Sequence, residues 1–267
     1  DNGPGSYTYP TGDAYTDGVF DIDEATVHTL GTDYQLRFTV DGDLTNPDDT
    51  ETGVSVQHFQ VYMSNPDAGE DAGTTAGRAG TNITLEAPYQ YRVVGHPEEG
   101  VIVEDADGNE VATGSLKANP IEDAVVVEFP KTALNTGIRS LNLAPLLFGY
   151  DADAEGGVMQ VESEAGSTTF GGAENGNAPN VIDAVLPGTT SQSEALSYSE
   201  GDGGLATVPY TPLTTPYETV AEFSDPAGDN FGPGGYELPT GGSYYEEMGD
   251  VRSLTIEESR SRTRFAF

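Results

Sequence analysis

One nine-residue pattern occurs twice in the chain, and it constrains the domain organisation more than any other feature. The first copy, Gly3–Thr11, reads Gly-Pro-Gly-Ser-Tyr-Thr-Tyr-Pro-Thr, and the second, Gly232–Thr240, reads Gly-Pro-Gly-Gly-Tyr-Glu-Leu-Pro-Thr. Because two glycines and two prolines recur in register, the pattern indicates one unit of roughly 220–230 residues and the opening of a second. We therefore predict a complete unit at 1–213, a linker at 214–224 and an incomplete second repeat at 225–267.

Short runs of apolar and alternating residues predict β-strands throughout the first unit. Residues 34–40 alternate apolar and polar side chains, which is typical of a half-buried strand. The run Val125–Phe129, taken as continuously apolar, suits a strand that is covered on both faces. Turn-forming residues separate these runs, and helical periodicity is almost absent. The predicted fold is all-β: a β-sandwich of about ten or more mostly antiparallel strands, with a C-terminal extension that starts a second repeat.

The chain is strongly acidic, with 45 Asp and Glu against 10 Lys and Arg and a net charge of −35. This balance excludes nucleic acid as a partner, because phosphate binding requires Lys and Arg. A disordered acidic chain is not favoured, since strand-like runs recur along the whole sequence. Dense carboxylates instead suit a protein from a concentrated salt solution, which screens their repulsion. We predict a halophilic, archaeal source.

Sequence motifs give no indication of an enzyme. Hydrolysis needs a positioned pair of carboxylates, and among 45 acidic residues no pair stands out. His58 lies in a predicted strand, where a structural or surface role is the simpler interpretation. The sequence contains no nucleophile elbow, P-loop or dinucleotide-binding glycine pattern. It also has no cysteine, which excludes disulfides and thiolate metal sites, and no apolar run of 18 residues that predicts a transmembrane segment.

Several motifs, taken in order, resemble a known family. They are Gly3–Tyr7, Gln60–Asp67, Gly77-Arg78, Phe148–Asp151, Phe170–Gly172 and Asn177–Asp183. Together they are similar to the C-terminal, DOMON-like domain of glucodextranases, which is also found in amylopullulanases and haloarchaeal surface proteins. The resemblance spans roughly residues 1–213. It implies a non-catalytic, extracellular β-sandwich that binds carbohydrate or cell wall, with calcium near an Asp-Pro-x-Gly-Asp opening.

Clustered oxygen donors make calcium the predicted metal, because Ca²⁺ takes six to eight oxygen ligands. The complete form of the opening is Asp225-Pro-Ala-Gly-Asp229, and only its end is present before the first unit. A second cluster, at 151–156, has acidic residues at alternate positions. The candidate ligands are Asp1, Asn2, Asp151, Asp153, Asp225, Asp229 and Asn230. The similar stretch Asp105–Asn109 is more simply a hairpin turn.

Alternating tyrosines are the candidates for stacking on a sugar, since their rings are amphipathic. They are Tyr7, Tyr9, Tyr89 and Tyr91, with Tyr15 beside them. Tyrosines in this pattern also suit the edge of a core or a sheet surface, and both interpretations stay open. Asn82 begins an Asn-Ile-Thr sequon, a predicted glycosylation site that fits an extracellular setting.

The C-terminal segment carries a basic strand in an acidic chain. Arg260, Arg262 and Arg264 alternate with other residues, and Phe265 and Phe267 are the apolar candidates for an assembly contact. Truncation of a longer repeat protein explains such a segment. Donation of its strands to a neighbouring subunit also explains it, and produces a homo-oligomer or filament. We therefore predict a self-associating surface module, with a glycan-binding module of a secreted α-glucan hydrolase as the alternative.

Overall fold

The structure is a computed structural model, and it divides the chain into two compact units, Asp1–Leu213 and Thr214–Phe267. It describes residues 3–69, 72–188, 190–199, 204–212, 218–224, 253–258 and 263–266. Beyond residue 211 it describes the backbone alone. Within these ranges, no helix is both long enough and apolar enough to cross a membrane.

The described residues are almost all β-strand, with only short helical turns between the strands. The elements in chain order are β1 (Ile22–Leu30), β2 (Asp33–Val40), β3 (Gln57–Ser64), β4 (Thr74–Ala76), β5 (Ile83–Tyr89), β6 (Tyr91–His96), β7 (Gly100–Asp105), β8 (Glu110–Asn119), β9 (Ala124–Pro130), β10 (Asn142–Gly149), β11 (Val181–Ala184), α1 (Gln192–Ala195), β12 (Ala206–Val208), β13 (Thr211–Pro212), β14 (Glu218–Ser224), β15 (Ser253–Glu258) and β16 (Thr263–Ala266). Three short 3₁₀ turns lie at Lys131–Ala133, Ile138–Ser140 and Glu155–Gly157. The predicted all-β class is confirmed.

One large antiparallel sheet folds over on itself to enclose the main core. Its strand order is β1-β2-β9-β8-β7-β6-β3-β10-β11, with β13 paired to β10. Phe38 from β2 stacks on Phe59 from β3 with ring centroids 5.1 Å apart, although four strands separate β2 and β3 in the sheet. Contact between such distant strands requires the two halves of the sheet to face each other, which gives the sandwich-like architecture.

Strand β8 joins the two halves of the large sheet, and a glycine lies at the junction. Residues up to Gly114 pair with β7, whereas residues from Ser115 onwards pair with β9. A Cβ atom on Gly114 would lie 1.9 Å from the carbonyl oxygen of Glu128. The sheet can therefore turn here because this position has no side chain.

A second core lies on the other face of β3 and β10. Tyr62, Leu146 and Phe148 pack there against residues from β5, β12 and the segment around Leu196. Strand β3 is consequently buried at all eight positions, because its two faces line different cores. The strand predicted to be covered on both faces was β9, but Val126 and Glu128 on its second face are half-exposed. That prediction is therefore wrong for β9, whereas β3 has the predicted property.

The first copy of the repeated motif packs against residues 179–183, which belong to the motif Asn177–Asp183. The backbone N–H of Gly3 donates to the carbonyl oxygen of Ile182 (2.6 Å), and the Tyr7 hydroxyl donates to the carbonyl of Pro179. The backbone N–H of Ile22 donates to Oδ2 of Asp183 (2.6 Å). Two of the motifs that carry the resemblance therefore hold each other in place, although they are far apart in the chain.

The second unit contains a three-stranded antiparallel sheet in the order β14-β15-β16. Ala221 pairs with Ile256, and Ile256 pairs with Phe265. Strand β14 lies within the stretch that the sequence analysis predicts as a linker.

Candidate functional site

A network of buried, hydrogen-bonded side chains lies next to the second core and holds the surrounding loops in position. Nε of Arg92 donates to Oε2 of Glu104 (2.7 Å), and Nη1 of Arg92 donates to the Tyr89 hydroxyl (2.9 Å). Tyr62 donates its hydroxyl hydrogen to Oε1 of Gln60 (2.7 Å). Because burying an unpaired charge is costly, the pairing of Arg92 fixes β6 relative to β7 and to the end of β5.

Arg78, from the Gly-Arg motif, connects this network to the loop after β10. Its backbone N–H donates to the Tyr62 hydroxyl (2.9 Å), and Nε lies 3.7 Å from Oε1 of Glu104. Its guanidinium also donates to the carbonyl oxygen of Gly156. Gly156 and its neighbour Gly157 have φ angles of 69° and 70°, a region that favours glycine. The loop at 150–158 is therefore held against the sheet by a half-buried cation.

Two histidines support the same end of the sheet. Burial lowers the pKa of His58 well below its usual value, so the ring is neutral, and it lies 3.0 Å from Nε2 of Gln60. This is the structural role that the sequence analysis favours for His58. Nδ1 of His96 accepts hydrogen bonds from the backbone N–H groups of Glu98 and Glu99. The His96 ring packs edge-on against Tyr150, with centroids 4.8 Å apart.

A groove of 280 Å³ opens at this end, and we call it the Tyr15–Tyr150 groove. Its lining combines two half-buried tyrosines with acidic and hydroxyl side chains. The lining residues are Tyr15, Asp48, Ser55, Val56, Tyr150, Asp151, Ala152, Met159, Thr168 and Thr169. Aromatic faces beside several polar groups are the usual composition of a site for a polyhydroxylated ligand.

Both tyrosines of the groove keep their protons over the physiological pH range. Burial, followed by the negative charges of Asp48 and Asp151, raises the pKa of Tyr15 to about 12. Burial, followed by the nearby carboxylate of Glu98, raises the pKa of Tyr150 to about 12. The groove therefore presents two neutral tyrosines beside the carboxyl groups of Asp48 and Asp151, whose oxygens can accept hydrogen bonds. The Tyr15 hydroxyl already donates to the carbonyl oxygen of Thr168 (3.3 Å), and the Tyr150 hydroxyl is buried. The field of the groove is negative, which disfavours anionic ligands.

A second depression, of 430 Å³, lies at the opposite end of the sheet and is lined by Tyr91, Asp105, Asp107 and Asn135 among others. Its polar groups are already engaged. The Tyr91 hydroxyl accepts a hydrogen bond from the backbone N–H of Asn135 (3.1 Å). Oδ1 of Asp105 accepts from the backbone N–H groups of Asp107 and Asn109, which is the hairpin turn expected from the sequence.

The four tyrosines predicted to bind carbohydrate lie mostly in the core. Tyr7, Tyr89 and Tyr91 are buried, so their rings have no open face for a sugar. Tyr9 is half-buried and packs against Phe20 and Phe170. Tyr15, which the sequence analysis places beside them, lines the Tyr15–Tyr150 groove, whereas Tyr91 lines the second depression. Tyr150, which also lines the groove, belongs to the motif Phe148–Asp151. The sequence analysis does not predict it as a site residue, although a tyrosine followed by an aspartate directly after a buried strand could have indicated a binding site.

The predicted calcium ligands fall into two groups. Asp1, Asn2, Asp225, Asp229 and Asn230 lie outside the described residues. Asp151 and Asp153 are described: Oδ1 of Asp151 accepts a hydrogen bond from the backbone N–H of Asp153 (3.0 Å), which forms an Asx turn. Among the described residues, no group of three His, Cys, Asp or Glu side chains is placed to hold a metal. Calcium binding at these residues stays a prediction.

The remaining predicted residues lie elsewhere. The Asn82 side-chain amide donates to the carbonyl oxygen of Ala178 (3.0 Å), so a glycan on Nδ2 would have to share that atom. Arg264 and Phe265 lie on β16, which pairs with β15. Arg260, Arg262 and Phe267 lie outside the described residues. The assembly and glycosylation assignments stay predictions.

Comparison with known proteins identifies the family. The model of one family, described as the C-terminal, SLH-like binding module of glucodextranase, matches residues 1–210 and again residues 220–267. A comparison with curated proteins gave no match. The two matched segments together cover nearly the whole chain, and the first contains both the groove and the network behind it. The chain therefore belongs to the family of C-terminal, SLH-like binding modules of glucodextranase.

Proposed function

We propose that this chain is a non-catalytic module that binds a neutral polysaccharide, of the α-glucan class, in the Tyr15–Tyr150 groove. The observation that carries this proposal is the composition of the groove: two half-buried tyrosines beside Asp48 and Asp151. Membership of a binding-module family supports a ligand-binding role, and the name of the parent enzyme suggests a glucan.

Charge selects among the candidate polysaccharides. The protein carries a net charge of −35, and carboxylates flank both tyrosines of the groove. Anionic cell-wall polymers would be repelled at ordinary ionic strength, whereas the hydroxyl groups of a neutral glucan can donate to the carboxylates. The volume of 280 Å³ lies just below that of drug-sized ligand pockets, about 300–1,000 Å³. A groove of this size suits one short stretch of a polymer.

A sedimentation assay with insoluble polysaccharides tests the ligand class. We expect the protein to co-sediment with insoluble starch or cross-linked dextran, and to stay in solution with an acidic polysaccharide such as pectin. Adding salt tests the electrostatic part of the selectivity. Screening weakens the repulsion of an anionic polymer, whereas the stacking of a neutral polymer on the tyrosines is unchanged. Equal binding to neutral and acidic polymers at low salt would contradict the proposal.

We further propose an extracellular setting in a halophilic, archaeal source. The excess of 45 acidic over 10 basic residues supports high salt, and membership of a family of glucodextranase modules supports secretion. Calcium binding at the Asp225–Asp229 opening is part of the same proposal.

Self-association is the second candidate function. It is favoured by the small C-terminal sheet, whose three strands form a unit of their own. So few strands bury little apolar surface, and their edges remain suited to pairing with another chain. Sedimentation velocity tests self-association. It is measured over a range of protein concentrations in about 2 M KCl, which represents a high-salt medium. A purely monomeric chain at every concentration would contradict it.

A further inference from the structure

We propose that His96 is a positioning residue for glycan binding, because its neutral imidazole holds the ring of Tyr150 at the Tyr15–Tyr150 groove. The inference deepens the proposed function, on which it rests. Its consequence is that a bound glycan is released as the pH falls, since protonated His96 cannot keep the hydrogen bonds that orient its ring.

The backbone of Tyr150 is fixed separately from its side chain. Its N–H donates to the carbonyl oxygen of Val56 (2.7 Å), and the residue forms an antiparallel bridge with Val158. The side chain packs edge-on against the His96 ring, with centroids 4.8 Å apart. The position of the Tyr150 ring in the groove therefore depends on where the His96 ring lies.

Gly157 packs against both rings. A Cβ atom at this position would lie 3.1 Å from Nε2 of His96 and 3.4 Å from Cε2 of Tyr150. The φ angle of Gly157 is 70°, in the region that favours glycine. The loop at 150–158 therefore holds the two rings together, because its backbone comes close to each of them.

The turn after β6 sets the orientation of the His96 ring. Nδ1 of His96 accepts hydrogen bonds from the backbone N–H groups of Glu98 (3.3 Å) and Glu99 (3.2 Å). The same turn is anchored at Pro97, whose carbonyl oxygen accepts from the Thr52 hydroxyl (2.7 Å). Because two donors point at Nδ1, we assign the neutral tautomer with its hydrogen on Nε2.

Protonation of His96 is incompatible with this orientation, since a hydrogen on Nδ1 would face two N–H donors. Burial lowers the pKa of His96, the carboxylates of Glu99 and Glu98 act in the opposite direction, and the Arg78 guanidinium lowers it again. The His58 ring, 5.9 Å away between centroids, is neutral because burial lowers its own pKa. The surroundings of His96 therefore favour the neutral ring.

The direction of the pH dependence follows from this preference. The binding arrangement holds His96 neutral, so it takes up a proton less readily than a freely exposed histidine, whose pKa is about 6.5. Glycan binding should therefore be at full strength above about pH 6.5, and it should weaken as the pH falls below that value.

Co-sedimentation with insoluble starch and with cross-linked dextran, at about pH 7.5 and about pH 5, measures the effect. Both polymers are uncharged at either pH. For the wild-type chain we expect the dissociation constant to rise on the order of five-fold at the lower pH. His96→Phe has a ring that cannot be protonated, so its dissociation constant should be the same at both pH values. His96→Ala removes the ring and should bind more weakly than the wild type at the higher pH.

His28→Phe is the matched control, because it removes another half-buried imidazole, one that does not line the groove. It should keep the pH dependence of the wild type. Thermal unfolding at each pH shows that the proteins compared are folded. Equal binding of the wild type at both pH values, or the same weakening in His96→Phe as in the wild type, would overturn the inference.

Tyr150→Ala separates failure of this inference from failure of the proposed function. If Tyr150→Ala weakens binding but His96→Ala does not, the groove stands and the positioning role of His96 is wrong. If the wild-type chain binds neither polymer at either pH, the proposed function is wrong and this inference fails with it.

Discussion

Asp183 is a carboxylic acid in a buried environment. It lies on β11 and is 6% exposed, and burial raises the pKa of its carboxyl to about 7, with Asp21 adding to the effect. Hydrogen bonds from the backbone N–H groups of Ile22 and Ala184 act in the opposite direction. Because the folded state holds this proton more tightly than the unfolded state, ionisation of Asp183 opposes folding.

This raised pKa predicts the direction of a pH dependence. Below about pH 4 the carboxyl is protonated in both states and has no effect, and between about pH 4 and pH 7 its contribution to stability falls as pH rises. Asp183→Asn removes the ionisable group and therefore this loss of stability. Its amide oxygen can still accept the hydrogen bond from the backbone N–H of Ile22. The variant should therefore gain stability relative to the wild type over this range, by up to about 1.4 kcal/mol per pH unit.

Urea unfolding at several pH values measures the difference between the two proteins. Asp153→Asn, at an exposed position, is the control and should track the wild type. A constant difference between Asp183→Asn and the wild type from pH 4 to pH 8 would contradict the assignment of a raised pKa.

The candidate site could be predicted only in part from individual residues. Tyr15 could be proposed because aromatic residues are obvious in a sequence, but so could Tyr7, Tyr89 and Tyr91, which are buried. Alternation places a side chain on one face of a strand, but it does not tell which faces are covered by other segments. The groove depends on the loop at 150–158, which the half-buried Arg78 holds in place, and the sequence has no local signal for that contact.

At the scale of elements, local sequence patterns predicted the positions of the strands better than they predicted which faces of the strands are buried. The alternation at 34–40 gave β2 with the correct buried residues, Leu36, Phe38 and Val40. The run at 125–129 wrongly suggested that both faces of β9 are covered. Strand β3 is covered on both faces, yet it contains His58 and Gln60, whose burial requires the polar network behind it. Polar residues in a doubly covered strand are not recognisable without their partners.

The turn of the large sheet at β8 gives a prediction at this scale. Gly114→Ala places a methyl group against the carbonyl oxygen of Glu128, so the β8–β9 ladder has to shift. We expect a loss of about 1–3 kcal/mol in the free energy of unfolding, which is typical of overpacking. Gly137→Ala is the matched control, because its Cβ would meet nothing within 4 Å and its φ of −66° suits any residue.

Urea unfolding of both glycine variants provides the measurement. An effect of Gly114→Ala no larger than that of Gly137→Ala would contradict a steric requirement for glycine at the junction of the two half-sheets.

At the scale of the whole molecule, the net charge governs the stability of the folded state. With a net charge of −35, repulsion among carboxylates opposes the compact state, and ion pairs between described residues, such as Arg92–Glu104, offset only part of it. Raising KCl from 0.1 M to 1 M shortens the Debye length from about 10 Å to about 3 Å. We expect the thermal unfolding midpoint to rise by several degrees over this range, since about 1 kcal/mol shifts it by roughly 2–4 °C in a domain of this size.

Differential scanning calorimetry in KCl and in an equal concentration of NaCl measures this effect. Screening predicts similar increases in both salts. An unfolding midpoint that does not change with salt concentration would contradict the proposed adaptation to high salt.

Glycan binding in the Tyr15–Tyr150 groove is the central claim, and affinity electrophoresis in gels that contain a soluble neutral α-glucan tests it most directly. Binding should retard the wild-type protein, and Tyr150→Ala should bind about five-fold more weakly, the equivalent of one aromatic contact of about 1 kcal/mol. Tyr198→Ala, at a half-buried tyrosine that does not line the groove, should migrate like the wild type. Equal retardation of all three proteins, each shown to be folded by its thermal unfolding, would contradict the assignment of the groove.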